Sequence, residues 1–200
     1  MYIRLFILSL LFSNVLLSQN KAAINEIEDF QKKLNKEFSS KADSPLTDED
    51  LKTFEALDFF PIDTAFTVTA KLSIQKDSKP FKMATTTDRL PIYKLYAIAS
   101  FVIKGKEYQL EIYQNQKMVL SPDYEDYLFL PFTDSTNGDT SYGGGRFIDL
   151  EIPENDEIII DFNQAYNPYC AYNHKYSCPI PPKVNDLDVE VKAGVMAYKH

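Results

Sequence analysis

The most reactive side chains in the sequence lie close together near the end of the chain. Cys170 and Cys178 are the only cysteines among the 200 residues, and His174 lies midway between them. In an exported protein, an even number of cysteines favours a disulfide. The alternatives are two free thiols, or a metal site with Cys170, His174 and Cys178 as ligands. A tetrahedral zinc site needs a fourth ligand, for which no further cysteine exists, so we predict a disulfide and no metal.

The second set of unusual residues is a glycine-rich loop, residues 133–146. Four of the six glycines of the chain fall within 138–145, and Arg146 follows them. Consecutive glycines allow positive φ angles or the close approach of another group. Loops of this kind cradle phosphates when a helix follows them, but residues 147–150 have the pattern of a strand and no Gly-Lys-Ser/Thr sequence is present. We therefore prefer a tight connection between strands, with Arg146 paired to an acid, over a phosphate-binding loop.

A tyrosine-rich loop, residues 161–182, contains the two cysteines. Four of the 13 tyrosines and four of the 11 prolines of the chain lie within 166–182. Proline fixes φ and removes a hydrogen-bond donor, which excludes a regular helix or a central strand here. Tyrosine combines a large apolar ring with a polar tip, which suits either a rigid wall over a sheet or a recognition surface. We prefer the wall.

Motifs of the common enzyme classes are absent from the sequence. It contains no Gly-x-Ser-x-Gly elbow and no His-Glu-x-x-His helix. Asp134, Asp149 and Asp161 could supply a carboxylate pair for acid–base chemistry on a sugar, but nothing in their spacing shows that any two meet. No cofactor-binding motif is found, and we expect no cofactor.

Charge and the start of the chain restrict the partners and the location. The chain has 29 acidic and 21 basic residues and a net charge of −8, without a large basic block, which argues against nucleic acid as a partner.

Met1–Gln19 has the pattern of a cleaved secretory signal, with Arg4 ahead of the apolar stretch Leu5–Leu17. That stretch is too short to cross a bilayer comfortably, and no later stretch is longer. We expect an exported protein, periplasmic or secreted, with no membrane span after removal of the signal.

Two helices are predicted before residue 64. Apolar residues in steps of three and four indicate a first helix within residues 20–39 with one buried face. These residues are Ile24, Ile27, Phe30, Leu34 and Phe38. Thr47, followed by three acidic residues, is typical of the start of a second helix.

From residue 65 the apolar period changes from 3.6 to 2, which indicates strands. The predicted strands are 65–74, 93–103, 108–113, 127–132, 147–152, 157–162 and 187–193. The pattern predicts an α+β, mainly β fold: an antiparallel β-sandwich or partly closed barrel with two N-terminal helices. We divide the chain into a signal peptide (1–19), a helical segment packed on the sheet (20–63) and a β-rich region (64–200). The last two form one structural domain.

Four blocks of sequence together resemble a known family. They are YLFLPFTDSTNGDTSYGGGRFIDL (127–150), DFNQAYNPYCAY (161–172), CPIPPKVN (178–185) and VKAGV (191–195). In this order they are similar to the bacterial domain of unknown function 1684. Residues 44–63 resemble its short exported form in Bacteroidetes-like bacteria. Because that family is uncharacterised, the resemblance implies nothing about activity.

Polar residues are more numerous in the two loops than a scaffold requires, and they indicate either a buried hydrogen-bond network or a ligand site. They are Asp134, Thr140, Tyr142, Arg146, Asp161, Asn163, Tyr166 and Asn167. We predict that the two loops meet at one end of the sheet and form a pocket for a small polar ligand, a sugar or a carboxylate. Arg146 is then the anion clamp of the pocket, or a member of an internal ion pair.

Two other interpretations stay open. The first is a hydrolase that uses Asp134 or Asp161 together with Tyr142 and Arg146. The second is a structural or interaction protein without a small-molecule site, in which the polar residues only lock the long loop.

Overall fold

The structure is a computed structural model that describes the backbone of residues 2–199 and the side chains of residues 21–199. Helix α1 spans Tyr2–Ser39 and helix α2 spans Asp48–Thr53. The predicted signal peptide, residues 1–19, lies outside the residues whose side chains are described. Within the described part of the chain, no helix is both long enough and apolar enough to cross a bilayer.

The apolar face of α1 packs against the rest of the protein. Ile27 and Phe38 are buried, and the Phe38 ring lies 4.7 Å from that of Tyr172 in the tyrosine-rich loop. The side chain of Asn35 accepts the backbone N–H of Leu57 over 2.8 Å. These contacts fix α1 above the tyrosine-rich loop.

Helix α2 starts where its sequence signals place it. Thr47 is the N-cap, and its Oγ1 accepts the amide of Asp50 over 3.1 Å. This contact satisfies one of the free amides at the helix start. Leu46 and Leu51 on either side of the cap belong to one apolar cluster, as in a hydrophobic staple.

The prediction of a mainly β, antiparallel fold is confirmed: the sheet curls into a half-barrel with two helices outside it. Its strands are β1 (Thr67–Ile74), β2 (Phe81–Lys82), β3 (Ile92–Ile103), β4 (Lys106–Asn115), β5 (Tyr127–Asp134), β6 (Arg146–Glu151), β7 (Glu157–Asp161) and β8 (Asp186–Leu187). The order is β6-β5-β4-β3-β1-β7. The short strand β2 pairs with β3, and β8 runs parallel to β5.

The last strand is much shorter than the predicted span 187–193. Strand β8 ends at Leu187, and the chain then leaves the sheet. The carbonyl oxygens of Val191 and Ala193 accept hydrogen bonds from the Arg146 guanidinium instead of from a neighbouring strand. The buried guanidinium of Arg146 therefore satisfies the backbone carbonyls that, in the predicted strand, would have bonded to a neighbouring strand.

Alternation along β5 and β6 gives the sheet two apolar faces. Leu128, Leu130 and Ile148 point into the half-barrel and join its main core. Phe129 and Phe147 point the other way and form a second cluster on the outer face. Because side chains alternate along a strand, the outer face also receives the residue two positions after Phe147, which is Asp149.

Two glycines explain the composition of the glycine-rich loop. Gly145 has φ +88°, and a Cβ at this position would lie 2.6 Å from the carbonyl oxygen of Phe132 and 2.7 Å from Cγ of Pro181. A Cβ on Gly144 would lie 2.5 Å from the ring of Tyr142. The loop leads into β6 and not into a helix, so it is a close-packed connection between strands and lacks the helix start of a phosphate cradle.

Candidate functional site

The glycine-rich and tyrosine-rich loops lie side by side. Phe147 and Tyr166 exchange two backbone hydrogen bonds, of 2.9 and 3.0 Å. The Tyr142 hydroxyl lies 3.9 Å from the sulfur of Cys170. The eight polar residues singled out from the sequence nevertheless do not line one common pocket, because most of them bond to backbone and to each other.

Arg146 is a member of an internal ion pair. Its side chain and that of Asp134 are both 0% exposed, and Nη2 donates to Oδ2 of Asp134 over 2.8 Å. The guanidinium also donates to the carbonyl oxygens of Val191 (2.8 Å), Ala193 and Val195 (3.5 Å). Burial lowers the pKa of Arg146, and the Asp134 carboxylate counteracts this shift. The cation therefore binds the C-terminal segment and has no free face for a ligand.

Asp161 and Asn163 form a second network at the start of the tyrosine-rich loop. Oδ1 of Asp161 accepts hydrogen bonds from the Thr67 hydroxyl (3.0 Å) and from Nδ2 of Asn163 (2.8 Å). Asn163 also accepts the amide of Asp63 and donates to its carbonyl oxygen, each over 3.0 Å. This network ties the segment before β1 to the end of β7 through one carboxylate oxygen of Asp161.

The remaining loop residues have separate structural partners. Nδ2 of Asn167 donates to the carbonyl oxygen of Met196 over 2.8 Å, and the carbonyl of Thr140 accepts the amide of Ala197 over 3.0 Å. Both contacts hold the chain terminus. Tyr166 is the exception among the eight residues, since its hydroxyl points to a different site described below.

Cys170 and Cys178 are free thiols in the structure, which differs from the predicted disulfide. Both sulfurs take part in hydrogen bonds instead: Sγ of Cys178 accepts the amide of Cys170 over 3.2 Å, and Sγ of Cys170 faces the Tyr142 hydroxyl. The pKa of the Cys170 thiol is lowered, chiefly because the side chain of Cys178 donates a hydrogen bond to the Cys170 sulfur. His174 is exposed, and no three potential metal ligands group together among the described residues.

A cavity of about 470 Å³ lies between the outer face of the sheet, helix α1 and the tyrosine-rich loop. Its floor comes from four adjacent strands: Tyr93, Asn115, Tyr127, Phe129, Phe147 and Asp149. The strand register places Tyr93 beside Asn115, and Phe129 beside Asp149. Helix α1 forms one wall, and residues of the tyrosine-rich loop form the roof. Cavities of this size hold small organic molecules.

Asp149 is the carboxylate of the cavity floor. Its Oδ1 accepts the hydroxyl of Tyr127 over 2.7 Å and that of Tyr166 over 2.6 Å. Among the described residues none donates to Oδ2. The side chain is open to solvent within the cavity, but protein atoms surround it closely. This burial raises the pKa of Asp149, against the lowering effect of the two tyrosines and of Lys33.

The roof is attached on both sides of the cavity. The Tyr169 hydroxyl donates to Oε1 of Glu37 on α1 over 2.5 Å. On the other side, Arg89 donates from Nε to Oγ of Ser177 (3.1 Å) and from Nη2 to its carbonyl oxygen (2.6 Å). Cys178 and Thr86 are joined by two hydrogen bonds, of 2.9 and 3.1 Å. The cavity is therefore formed by anchored elements.

Sequence reasoning missed most of this cavity. Asp149 was considered only as one of three possible carboxylates, and Tyr127, Arg89 and Lys33 were not considered at all. One signal was present: Phe147 and Asp149 lie on the same face of a predicted strand, which puts an acid on an aromatic surface. The sequence predicts that the helical segment and a wall of tyrosines lie on the sheet, but no local pattern indicates which face of the sheet they cover.

The fold and cavity define a half-barrel domain with a covered aromatic cavity on its outer face, and comparison with known proteins gives the family. Residues 52–196 match the family described as "Protein of unknown function (DUF1684)", so the chain belongs to it. It is similar to a solution NMR structure of an uncharacterized protein from Haloarcula marismortui. The two are 31% identical, with a TM-score of 0.70, over 90% of this chain and 96% of that one. No curated protein matches.

We expect Arg146→Ala to destabilise the protein strongly at pH 7. The substitution leaves the carboxylate of Asp134, itself 0% exposed, without its cation, and breaking a buried pair in this way costs about 3–5 kcal/mol. Urea denaturation measures the loss. The control is Lys106→Ala, because Lys106 and Asp188 form a 3.1 Å pair that is exposed and such pairs contribute about 1 kcal/mol or less. Equal effects of the two substitutions would contradict the assignment.

Thiol chemistry checks the state of the cysteine pair. We expect two reactive thiols per chain when the protein is denatured without reductant. In the folded protein, the rate of alkylation should rise at a lower pH than in the unfolded chain, since a lowered pKa populates the thiolate earlier. Cys178→Ala removes the hydrogen bond and should move the rise back towards higher pH. Recovery of no free thiol from the denatured protein would show a disulfide.

Proposed function

We propose that the protein is a binding module for a small polar ligand, which it takes up in the cavity above Asp149. The position of this carboxylate carries the proposal. One oxygen is held by two tyrosine hydroxyls, and the other faces a cavity of about 470 Å³ without a donor from any described residue. A ligand with a hydroxyl or N–H group supplies that donor.

The walls of the cavity suit the same kind of ligand. Phe129 and Phe147 pack with ring centroids 4.8 Å apart in the floor, and Tyr169 and Tyr176 lie 5.2 Å apart in the roof. Aromatic surfaces with a few fixed polar groups are typical of small-molecule sites. The ligand therefore combines a flat apolar face with at least one hydrogen-bond donor.

The effect of Asp149 on the stability of the protein separates a binding role from a structural one. A carboxyl whose pKa is raised by burial is harder to ionise in the folded state than in the unfolded chain. The free energy of unfolding therefore falls as the pH rises from the pKa of this carboxyl in the unfolded chain through its pKa in the folded protein. A group that costs stability and faces a cavity is typical of a functional site.

We expect Asp149→Asn to raise the melting temperature at pH 7 and to weaken ligand binding. Binding is measured as the thermal shift caused by monosaccharides, hydroxy acids and hydroxylated aromatic compounds, and as changes in the backbone amide resonances of Asp149 and Tyr166. The matched control is Glu151→Gln. Glu151 is exposed on the same strand and outside the cavity lining, so its loss should change neither property.

Two results would overturn the proposal. One is a panel in which no compound perturbs the amide resonances of the cavity floor. The other is binding that Asp149→Asn and Glu151→Gln affect equally, since the ligand would then not use the Asp149 carboxylate.

We also propose that the protein is exported and acts in the periplasm or outside the cell, as a member of a short exported form of the family. The proposal is supported by the sequence of Met1–Gln19 alone. We expect the mass of the protein purified from its native host to correspond to a chain that starts at Gln19 or Asn20, recovered from the periplasm or the medium. An intact chain in the cytoplasm would contradict it.

A further inference from the structure

We infer that the ligand of this cavity is a small organic oxyanion, a carboxylate or phosphate monoester carried on a flat, ring-sized body with a hydroxyl group. This inference rests on the proposed binding function and specifies the chemical class of the ligand. It follows from how the charged groups of the cavity are paired: its acids accept hydrogen bonds from tyrosines, and neither of its cations forms an ion pair with a described residue.

The two cations of the cavity belong to different elements of the fold. Lys33 projects from α1, and Arg89 lies on the segment between β2 and β3. Neither forms an ion pair with any carboxylate that the structure describes. Arg89 is fixed by Ser177, whose hydroxyl and carbonyl oxygens are neutral. These contacts hold the guanidinium at the cavity without compensating its charge, and none of the described residues accepts from Nη1.

The acids of the cavity are bonded to tyrosines. Glu37 lies one turn after Lys33 on α1, a spacing that allows an ion pair, but its Oε1 accepts the Tyr169 hydroxyl instead. Oδ1 of Asp149 accepts two more tyrosine hydroxyls. Three phenols thus satisfy carboxylate oxygens that could have paired with the two cations, which leaves the exposed Lys33 and Arg89 available to an anionic ligand.

Tyr93 lies in the floor of the same cavity as these acids and cations. Tyr93 is buried in the floor, and Arg89 and Asp149 line the same cavity of about 470 Å³. A single ring-sized ligand lying on Tyr93 and Phe129 therefore reaches both groups. Its oxyanion faces the cations, and its hydroxyl donates to the free oxygen of Asp149.

Four small compounds test the charge requirement directly. 4-Hydroxyphenylacetate and 4-hydroxyphenyl phosphate are the anionic probes, 4-hydroxyphenylacetamide is the neutral one, and tyramine is the cationic one. Dissociation constants come from the shifts of cavity amide resonances in the full chain at low ionic strength. We expect at least one anion to bind about tenfold or more tighter than the amide, since a charge-assisted hydrogen bond contributes about 1.5–3 kcal/mol. The stronger of the two anions identifies the oxyanion as carboxylate or phosphate.

Variants show whether the cavity cations cause this preference. Lys33→Gln should reduce the ratio of anion to amide affinity severalfold, and because Lys33 makes no hydrogen bond to a described residue, the fold should be unaffected. Lys36→Gln is the control, since Lys36 is exposed on α1 and does not line the cavity. Arg89→Gln should reduce the ratio further, although it also removes a roof contact.

The outcomes separate this inference from the proposed function. If the amide or tyramine binds as tightly as the anions, or if only uncharged compounds of the wider panel bind at Asp149, the ligand is not an oxyanion and the binding function stands. An anion preference unchanged by both Lys33→Gln and Arg89→Gln also overturns the inference. If neither these probes nor the wider panel perturbs the cavity, both proposals fail.

Discussion

The ion pair between Arg146 and Asp134 is the interaction on which the arrangement of this protein depends. Removing two charges from water costs several kcal/mol per ion, and only good geometry with further hydrogen bonds offsets it. Here the guanidinium bonds to the carboxylate and to three backbone carbonyls, and Oδ1 of Asp134 accepts from both the amide and the hydroxyl of Thr136. Because those carbonyls belong to residues 191–195, the pair fixes the C-terminal segment inside the half-barrel, where a β-ladder would otherwise be needed.

Asp134 and Asp149 differ in their surroundings and in the roles that we propose for them. They lie on adjacent strands, on opposite faces of the sheet, and their partners differ. Asp134 has a cation and several donors in the buried core, whereas Asp149 has two neutral phenols and an open oxygen at the cavity. The first carboxylate is fully used by the fold. The second is retained at a cost to stability, and a ligand gives a physical reason for keeping it.

Local sequence patterns predicted the elements that depend on neighbours along the chain. The buried face of α1 and the Thr47 cap follow from spacing of three to four residues, and the strands follow from alternation. The cavity could not be predicted in this way. Its floor needs the register that sets Phe129 beside Asp149, and its roof needs contacts such as Glu37 to Tyr169, which are 132 residues apart. The eight polar loop residues were recognised as unusual, but the pattern did not distinguish residues that bind backbone from residues that face a cavity.

The same network also determines how rigid the cavity is. Gly145 lies against Pro181, and a Cβ there would meet both it and the Phe132 carbonyl, so the glycine-rich loop supports the end of the tyrosine-rich loop. That loop is held again by Glu37, Arg89 and Thr86. A roof anchored in this way needs little ordering when a ligand enters, and less of the interaction energy is lost to conformational entropy. In the proposed binding site, Lys33 and Arg89 add their charges to this preformed shape. This arrangement favours selection by charge and shape in a preformed site over closure of a mobile lid.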